Sequence, residues 1–418
     1  MAAKASPAYT IKRLAWTDPE FGTLEAPLRP MRIRGGFGSG LTTCAGEEGI
    51  VWAICDRGPN LKVATAIEYY GLTHFEASQV GSDAKIMPRF DLGPAIAELR
   101  IEEDRVELVR TIRLANTDGV PLSGLPIPTG GHSECEPALD LDGRPIAPSP
   151  NGVDSEGLAA LARGGFWVSD EYGPSLLKLD KEGRVELRLL PAGIELEGAG
   201  YPCLAGLPAI AARRQLNRGF EAIAVSPCGR WLFVAFQSPL AHPDKSAHEQ
   251  ARHVRIWRLD AGTGEVETQY AYPLDEPSSF LRDNAKGVVE RKDLKVSEIA
   301  ALGEDSLLVL ERGSETTKIY RIAVGEHALP LEHFDEDTRP TLEELSASAD
   351  FQLPELVKEL LFSSDDAPQV AADLEGMAVL SPSRLLLVND NDFGTEGAET
   401  SFWRIDFEAP VLVDPDSS

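Results

Sequence analysis

A unit of four short apolar runs separated by tight turns recurs along this chain, and no other feature constrains its fold as strongly. The unit is clearest between Glu156 and Pro191, where EGLAAL, GFWVSDEY, SLLKLD and RVELRLL are separated by RG, GP and KEG. Runs this short, bounded by Gly-containing turns, read as consecutive antiparallel strands. A second copy runs FEAIAVSP, RWLFVAFQ, HVRIWRLD and EVETQYAYPL. A third begins VSEIAALG, SLLVLERG and KIYRIAV, and its fourth strand is hidden by the helix-like stretch TLEELSASADFQLPELVKELL. The last copy, LEGMAVLS, RLLLVNDND and SFWRIDFE, has three strands only. A divergent copy stands first: SGLTTC, IVWAICDRG, IAELRIEED and VELVRTIRLA, with a long insertion after its second strand.

Repeated four-stranded antiparallel units read as the blades of a β-propeller. The expectation is an all-β chain with five readable blades, beginning near Ser39, Glu156, Glu221, Glu298 and Glu375. The N-terminal YTIKRLAW is apolar and otherwise unpaired, so it is expected to complete the last blade and close the ring. Residues 116–155 and 191–220 leave room for a sixth blade, but their Gly and Pro content favours loops. Nothing in the composition marks a linker, so residues 1–418 read as one domain with an ordered core over about 9–408. Within it, the acidic stretch 335–372 reads as an insertion, helical near 340–362.

The repeat also fixes where acids fall. The first strand of a blade lines the central channel and the second returns beside it. The start of the first and the end of the second therefore share one face. Glu156, Glu221, Glu298 and Glu375 stand at first-strand starts, with Ser39 in the fifth place. Asp56, Asp170, Glu311 and Asp390 stand at second-strand ends, with Gln237 in the fifth. Eight carboxylates are thus expected around one mouth, with the further acids Glu171 and Asp392 close behind. Crowded like charges repel by roughly 4 kcal/mol per close pair at an effective dielectric of about 20. They persist where protons are shared, where Arg compensates, or where a metal binds. An all-oxygen donor set suits Ca²⁺, with Mg²⁺ the second choice. The competing reading makes each acid a backbone cap or a partner of Arg57, Arg218 or Arg312.

Arg57 and Arg312 follow the second-strand acids and are expected to hold a phosphate or carboxylate of the substrate. Glu156, Glu375, Asp390 and the loop residue His132 are the candidate catalytic groups, and His242 is a further loop histidine. The motifs of other hydrolase classes are absent: there is no G-x-S-x-G, P-loop or H-E-x-x-H, and HEQARH has its second His one place too far on. A nucleophilic serine therefore has no sequence support, and a metal-activated water is the more economical route.

Composition narrows the partners. A net charge of −27 repels nucleic acid and anionic membranes and suits cations. No run of roughly 18 apolar residues exists, so no membrane helix is expected. The start MAAKASPAYT has no apolar h-region, so the chain as written reads as cytoplasmic, and a trimmed mature form would read as exported. None of the five cysteines forms CxxC, and Cys135 and Cys203, both in loop-like stretches, are the pair open to a disulfide. The expected partner is a small ester or phosphoester, acted on by a monomer.

At these motifs the chain resembles the bacterial family described as esterase-like activity of phytase. The resemblance rests on SGL with AICDRGPN, GVDSEGLA with FWVSDEYGPSLLKLDKEGRV, NRGFEAIAVSPCGRWLFVAFQSPL, KVSEIAAL with LLVLERG, and LEGMAV with LLLVNDNDFG, spanning about residues 35–408. It departs at Cys228, where such turns carry Asp. The resemblance implies a β-propeller and a metal-dependent phosphoester or ester hydrolase. The leading expectation is a calcium-dependent hydrolase of phosphate esters. A calcium-dependent lactonase or carboxylesterase using Glu375, Asn389 and Asp390 is the second. A non-catalytic module with a structural channel metal is the third.

Overall fold

Each apolar run pairs with the next because the short turns between them bring no other partner within reach. In the computed structural model, which describes residues 7–77, 84–128 and 135–413, the runs form five antiparallel sheets. Sheet I holds Gly40–Thr42, Ile50–Ile54, Ala95–Ile101 and Val106–Arg113. Sheet II holds Ser155–Ala160, Phe166–Asp170, Ser175–Leu179 and Val185–Pro191, with Cys203–Leu207 added parallel to the last. Sheet III holds Phe220–Val225, Trp231–Phe236, His253–Asp260 and Val266–Pro273. Sheet IV holds Lys295–Ala301, Ser306–Arg312, Thr317–Ala323 and Lys358–Ser363. Sheet V holds Leu374–Ser381, Arg384–Asn389 and Phe402–Phe407, and its fourth strand is the N-terminal Tyr9–Leu14.

Neighbouring first strands pack together in the order of the sheets, and that of sheet V lies against that of sheet I. Apolar side chains fill the spaces between neighbours. Trp52, Ile54 and Ile96 of sheet I meet Leu158, Phe166 and Val168 of sheet II. Trp257, Phe233 and Leu307 belong to the large core spanning sheets II to IV. Sheets IV and V share Leu308, Ile319, Met377 and Ile405. The first strands run so close that small residues are required. A Cβ on Gly40 would stand 2.7 Å from the Glu156 carbonyl oxygen, and one on Gly157 2.6 Å from that of Glu221.

One expectation changes. The stretch near 340–362 is helical only over Leu342–Ala347, where Thr341 caps the Glu344 N–H, and Lys358–Ser363 is the missing fourth strand of sheet IV. Its Leu, Glu and Lys favour helix locally, but pairing with Thr317–Ala323 overrides that preference. Residues 116–155 and 191–220 are mostly loop and form no further four-stranded antiparallel unit of their own among the described residues. Their short strands join a small sheet of Leu61–Lys62, Lys85–Ile86, Ala138–Leu139 and Pro145–Ile146, or the edge of sheet II. All five cysteines are free thiols. No helix among the described residues is long and apolar enough to cross a membrane.

Candidate active site at the strand ends

The acids of the first strands reach the mouth through β-bulges. In sheet II the pairs Ser155–Asp170 and Leu158–Val168 leave Glu156 and Gly157 outside the regular ladder. In sheet III, Phe220–Phe236 is followed by Ala222–Ala235, which leaves Glu221 unpaired. Sheet V repeats the pattern, with Leu374–Asn389 and Gly376–Val388 leaving Glu375 out. A bulge turns the extra residue's side chain away from the regular alternation. Here it aims Glu156, Glu221 and Glu375 into one polar cavity of about 340 Å³.

Sheet IV has the same bulge one residue earlier than its acid. Val296 pairs with Glu311 and Glu298 with Leu310, so the extruded residue is Ser297. Glu298 then occupies the place held by Gly157 and Gly376 in their sheets. It points inward and accepts the N–H groups of Leu41 at 2.9 Å and Ile299 at 3.1 Å. A one-residue slip reverses the face of a strand side chain, and it removes Glu298 from the expected set.

The same slip affects the second strands. The cavity is lined by Asp56, Glu171, Gln237, Arg312 and Asp390. Asp170 and Glu311 lie one residue earlier in their strands and face away. Asp170 is fully buried with Arg188, whose Nη2 is 2.6 Å from its Oδ2, and it also accepts Ser175 Oγ at 2.7 Å. Glu311 accepts Tyr272 Oη and Lys358 Nζ, each at 2.7 Å. Of the eight acids expected at the mouth, Asp56, Glu156, Glu221, Glu375 and Asp390 line the cavity, joined by Glu171, Asp373 and Asp392. His132 lies outside the described residues. His242 is buried, with Nε2 3.4 Å from Arg339 Nη1, away from this cavity.

Asp56, Glu156, Glu171, Glu375 and Asp390 hold their protons more tightly than usual. Burial pushes Glu156 well up, and the nearby Asp154, Glu221 and Glu171 add to it. Burial first, and then Glu221 and Asp154, raise Glu171. Burial raises Glu375 to about 8 although Arg312 pulls it down. Asp56 reaches about 8 through burial and Asp154. Asp390 is raised by burial, then by Asp392 and Glu375.

Six cations line the same cavity: Arg57, Lys62, Lys85, Arg218, Lys295 and Arg312. Both arginines singled out by the sequence are engaged. Arg57 Nη1 lies 2.9 Å from Glu136 and 3.2 Å from Asp154, and its Nη2 donates to Asn217 at 3.0 Å. Arg312 pairs with Asp373 and Glu375 and donates from Nε to Ser297 Oγ.

One group of acids is less fully compensated, with Arg57 reaching only its Asp154 member. An oxygen from each of Asp154, Glu156 and Glu171 lies within 4.8 Å of the others. Asp154 Oδ2, Glu171 Oε1 and Glu221 Oε2 are buried without a hydrogen bond. A buried carboxylate oxygen in that condition is costly. Asp154 and Glu171 were not among the expected ligands, yet both stand beside acids the sequence reading used. Aligning the copies on the apolar residue after the bulge, Leu41, Leu158, Ile223, Ile299 and Met377, recovers Glu171 and moves Glu298 out.

Two other constellations fail on geometry. Asn389 accepts Ser401 N–H and Oγ–H through Oδ1 and donates to the Asp390 and Glu399 carbonyls, so its side chain is held away from a site with Glu375 and Asp390. Ser346, His253 and Glu355 form a line, with His253 Nδ1 2.9 Å from Ser346 Oγ and Nε2 2.9 Å from Glu355. Ser346 is completely buried and its Oγ accepts the N–H groups of Arg252 and His253, so it is a backbone pin.

A family model described as "Esterase-like activity of phytase" (Phytase-like) matches residues 33–393. An uncharacterized secreted protein of Arthroderma benhamiae is 26% identical over 339 residues, which are 70% of this chain and 62% of that protein. The chain therefore spans less than two thirds of that relative's length. Solved structures are distantly similar. The aldose sugar dehydrogenase of Streptomyces coelicolor matches at 10% identity and a TM-score of 0.34, covering 97% of this chain and 100% of that one. The RRP9 WD40 repeats match at 11% identity and a TM-score of 0.36, covering 97% and 99%.

Proposed function

We propose, for a chain that belongs to the Phytase-like family, that it hydrolyses phosphate esters with the help of a divalent cation held at this mouth. The observation that carries the reading is the cluster of Asp154, Glu156 and Glu171 oxygens beside Glu221, in which Glu171 Oε1 and Glu221 Oε2 are buried without a hydrogen bond and Asp154 Oδ2 meets the Arg57 guanidinium at 3.2 Å. All the donors are oxygens, so the set fits a hard cation, Ca²⁺ before Mg²⁺. Asp154, Glu156, Glu171 and Glu221 would hold it. When bound, such a cation polarises a phosphoryl oxygen and offsets charge gathering on it.

The chain's own residues do the rest. Asp373 and Glu375 fix the Arg312 guanidinium at the cavity wall. Burial and the neighbouring Asp392 raise Asp390, which is therefore placed to protonate a leaving alkoxide and then to take a proton from water, while Glu375 stays with Arg312. The five sheets are proposed to be the blades of a five-bladed propeller, with the N-terminal strand completing the fifth; support comes from the unbroken succession of first-strand contacts.

The test is turnover of p-nitrophenyl phosphate, phytate, p-nitrophenyl acetate and a lactone, each with EDTA and with millimolar Ca²⁺ or Mg²⁺. Phosphate-ester hydrolysis that EDTA removes is expected. Turnover of the carboxylic esters alone would replace the reading with an esterase.

A further inference from the structure

We propose that Arg218 and Lys295 grip the phosphoryl group of the substrate, whose organic part lies in the adjoining groove beside Val288 and Val289. The inference rests on the phosphoester reading and names the part of the molecule that selects the substrate.

Among the buried or half-buried cations of the cavity, these two have no fixed partner. Arg57 is tied to Glu136 and Asp154, Lys85 stands 3.6 Å from Glu136, and Arg312 is tied to Asp373 and Glu375. Arg218 Nη1 is buried without a hydrogen bond. No acid lies within ion-pair distance of Arg218 or Lys295 among the described residues. Lys295 sits directly across the strand pair from Arg312. Like charges opposed in this way destabilise a sheet unless an anion lies between them. Arg312, burial and Arg218 together lower the Lys295 ammonium to about 8, although Glu375 and Asp373 pull the other way.

Arg218 and Lys295 also line a second cavity of about 380 Å³, so they stand at the junction of two spaces. The acids of the second space are engaged. Asp283 accepts the N–H groups of Ser314, Glu315 and Thr316, and Asp293 accepts that of Glu290. Its outer wall is apolar at Val288, which is 90% exposed, and at Val289. A guanidinium and an ammonium together present donors to several oxygens of one tetrahedral dianion. A cation held by Glu171 and its neighbours would complete its neutralisation. The ligand so described is a phosphate monoester of a small alcohol with apolar surface.

Calorimetric titration of inorganic phosphate into the full chain in EDTA, with sulfate as control, tests this directly. The wild type is expected to bind phosphate. Arg218→Gln and Lys295→Gln should each weaken binding at least tenfold, and Arg218→Lys should keep most of it, which also guards against a folding defect. Val288→Asp should raise KM for p-nitrophenyl phosphate and leave phosphate affinity unchanged. If the wild type binds no phosphate, or both Gln variants bind it as the wild type does, the inference falls. If Arg218 only offsets Glu171 and Glu221, Arg218→Gln will bind Ca²⁺ more tightly with phosphate affinity unchanged, and the inference falls again. Phosphate binding lost in the variants while the wild type turns over no phosphate ester leaves the anion site standing and removes the hydrolase reading. Turnover with unchanged KM in both Gln variants does the reverse.

Discussion

Glu171 and Glu298 show how much a single position decides. Both are buried acids, Glu171 just past a strand end and Glu298 within a strand, and both have raised carboxyl groups through burial. Glu298 accepts two backbone N–H groups, whereas Glu171 keeps an oxygen with no hydrogen bond. Glu171→Gln should therefore weaken Ca²⁺ binding at least about tenfold, or ~1.4 kcal/mol. Glu298→Gln should leave the affinity intact and cost about 1–3 kcal/mol of stability, because an amide cannot accept on both sides. Calorimetry and melting curves on the two variants separate the roles. The acids also set a pH dependence. Glu375 and Asp56 are raised to about 8 in the folded chain, against about 4 in an unfolded one. Their contribution is fully present below the unfolded values and is lost as pH rises through the folded ones. The melting temperature of metal-free protein should fall between about pH 4 and 8, and Ca²⁺ should flatten the fall by replacing protons. A metal-free melting temperature that rises across this window would contradict the raised values.

At the level of strands, the sequence was legible wherever apolar runs and Gly turns alternate. The five first strands start at or within three residues of the positions read from the repeat, and Tyr9–Leu14 takes the vacant place in sheet V. What it did not disclose was the bulge. VSEIAALG and LEGMAVLS look equivalent when aligned on Glu, but the backbone aligns Ile299 with Met377 and puts Ser297 opposite Glu375. Acids at two successive positions, Asp170 and Glu171, hid the same offset in sheet II. Composition alone cannot distinguish the two, because only the pairing register says which one faces the mouth. Lys358–Ser363 was missed for a different reason, a helix-favouring composition overruled by its neighbour strand. Two substitutions probe elements. Gly157→Val should cost several kcal/mol, since its side chain would meet the Glu221 carbonyl. Arg188→Met strands the buried Asp170 and should cost about 3–5 kcal/mol. Urea unfolding measures both.

Across the whole molecule the net charge is −27, and one cavity gathers eight acids among six cations. A cation that binds only the native state at a hundredfold excess over Kd adds about 2.7 kcal/mol. A melting temperature that is the same in EDTA and in millimolar Ca²⁺ would argue against the site. The pairing of the first and last strands bears on mechanics. Tyr9 stands opposite Phe407 and Leu14 opposite Phe402, so the outer ends of both strands leave the sheet at the same edge. The Glu408 N–H reaches the Ala8 carbonyl at that edge. Tension applied between residues 8 and 408 would load the ladder one rung at a time, like a zipper, and not all rungs together in shear. In an optical trap the chain should open at low force from this seam, and a cysteine staple across it should move the rupture to much higher force.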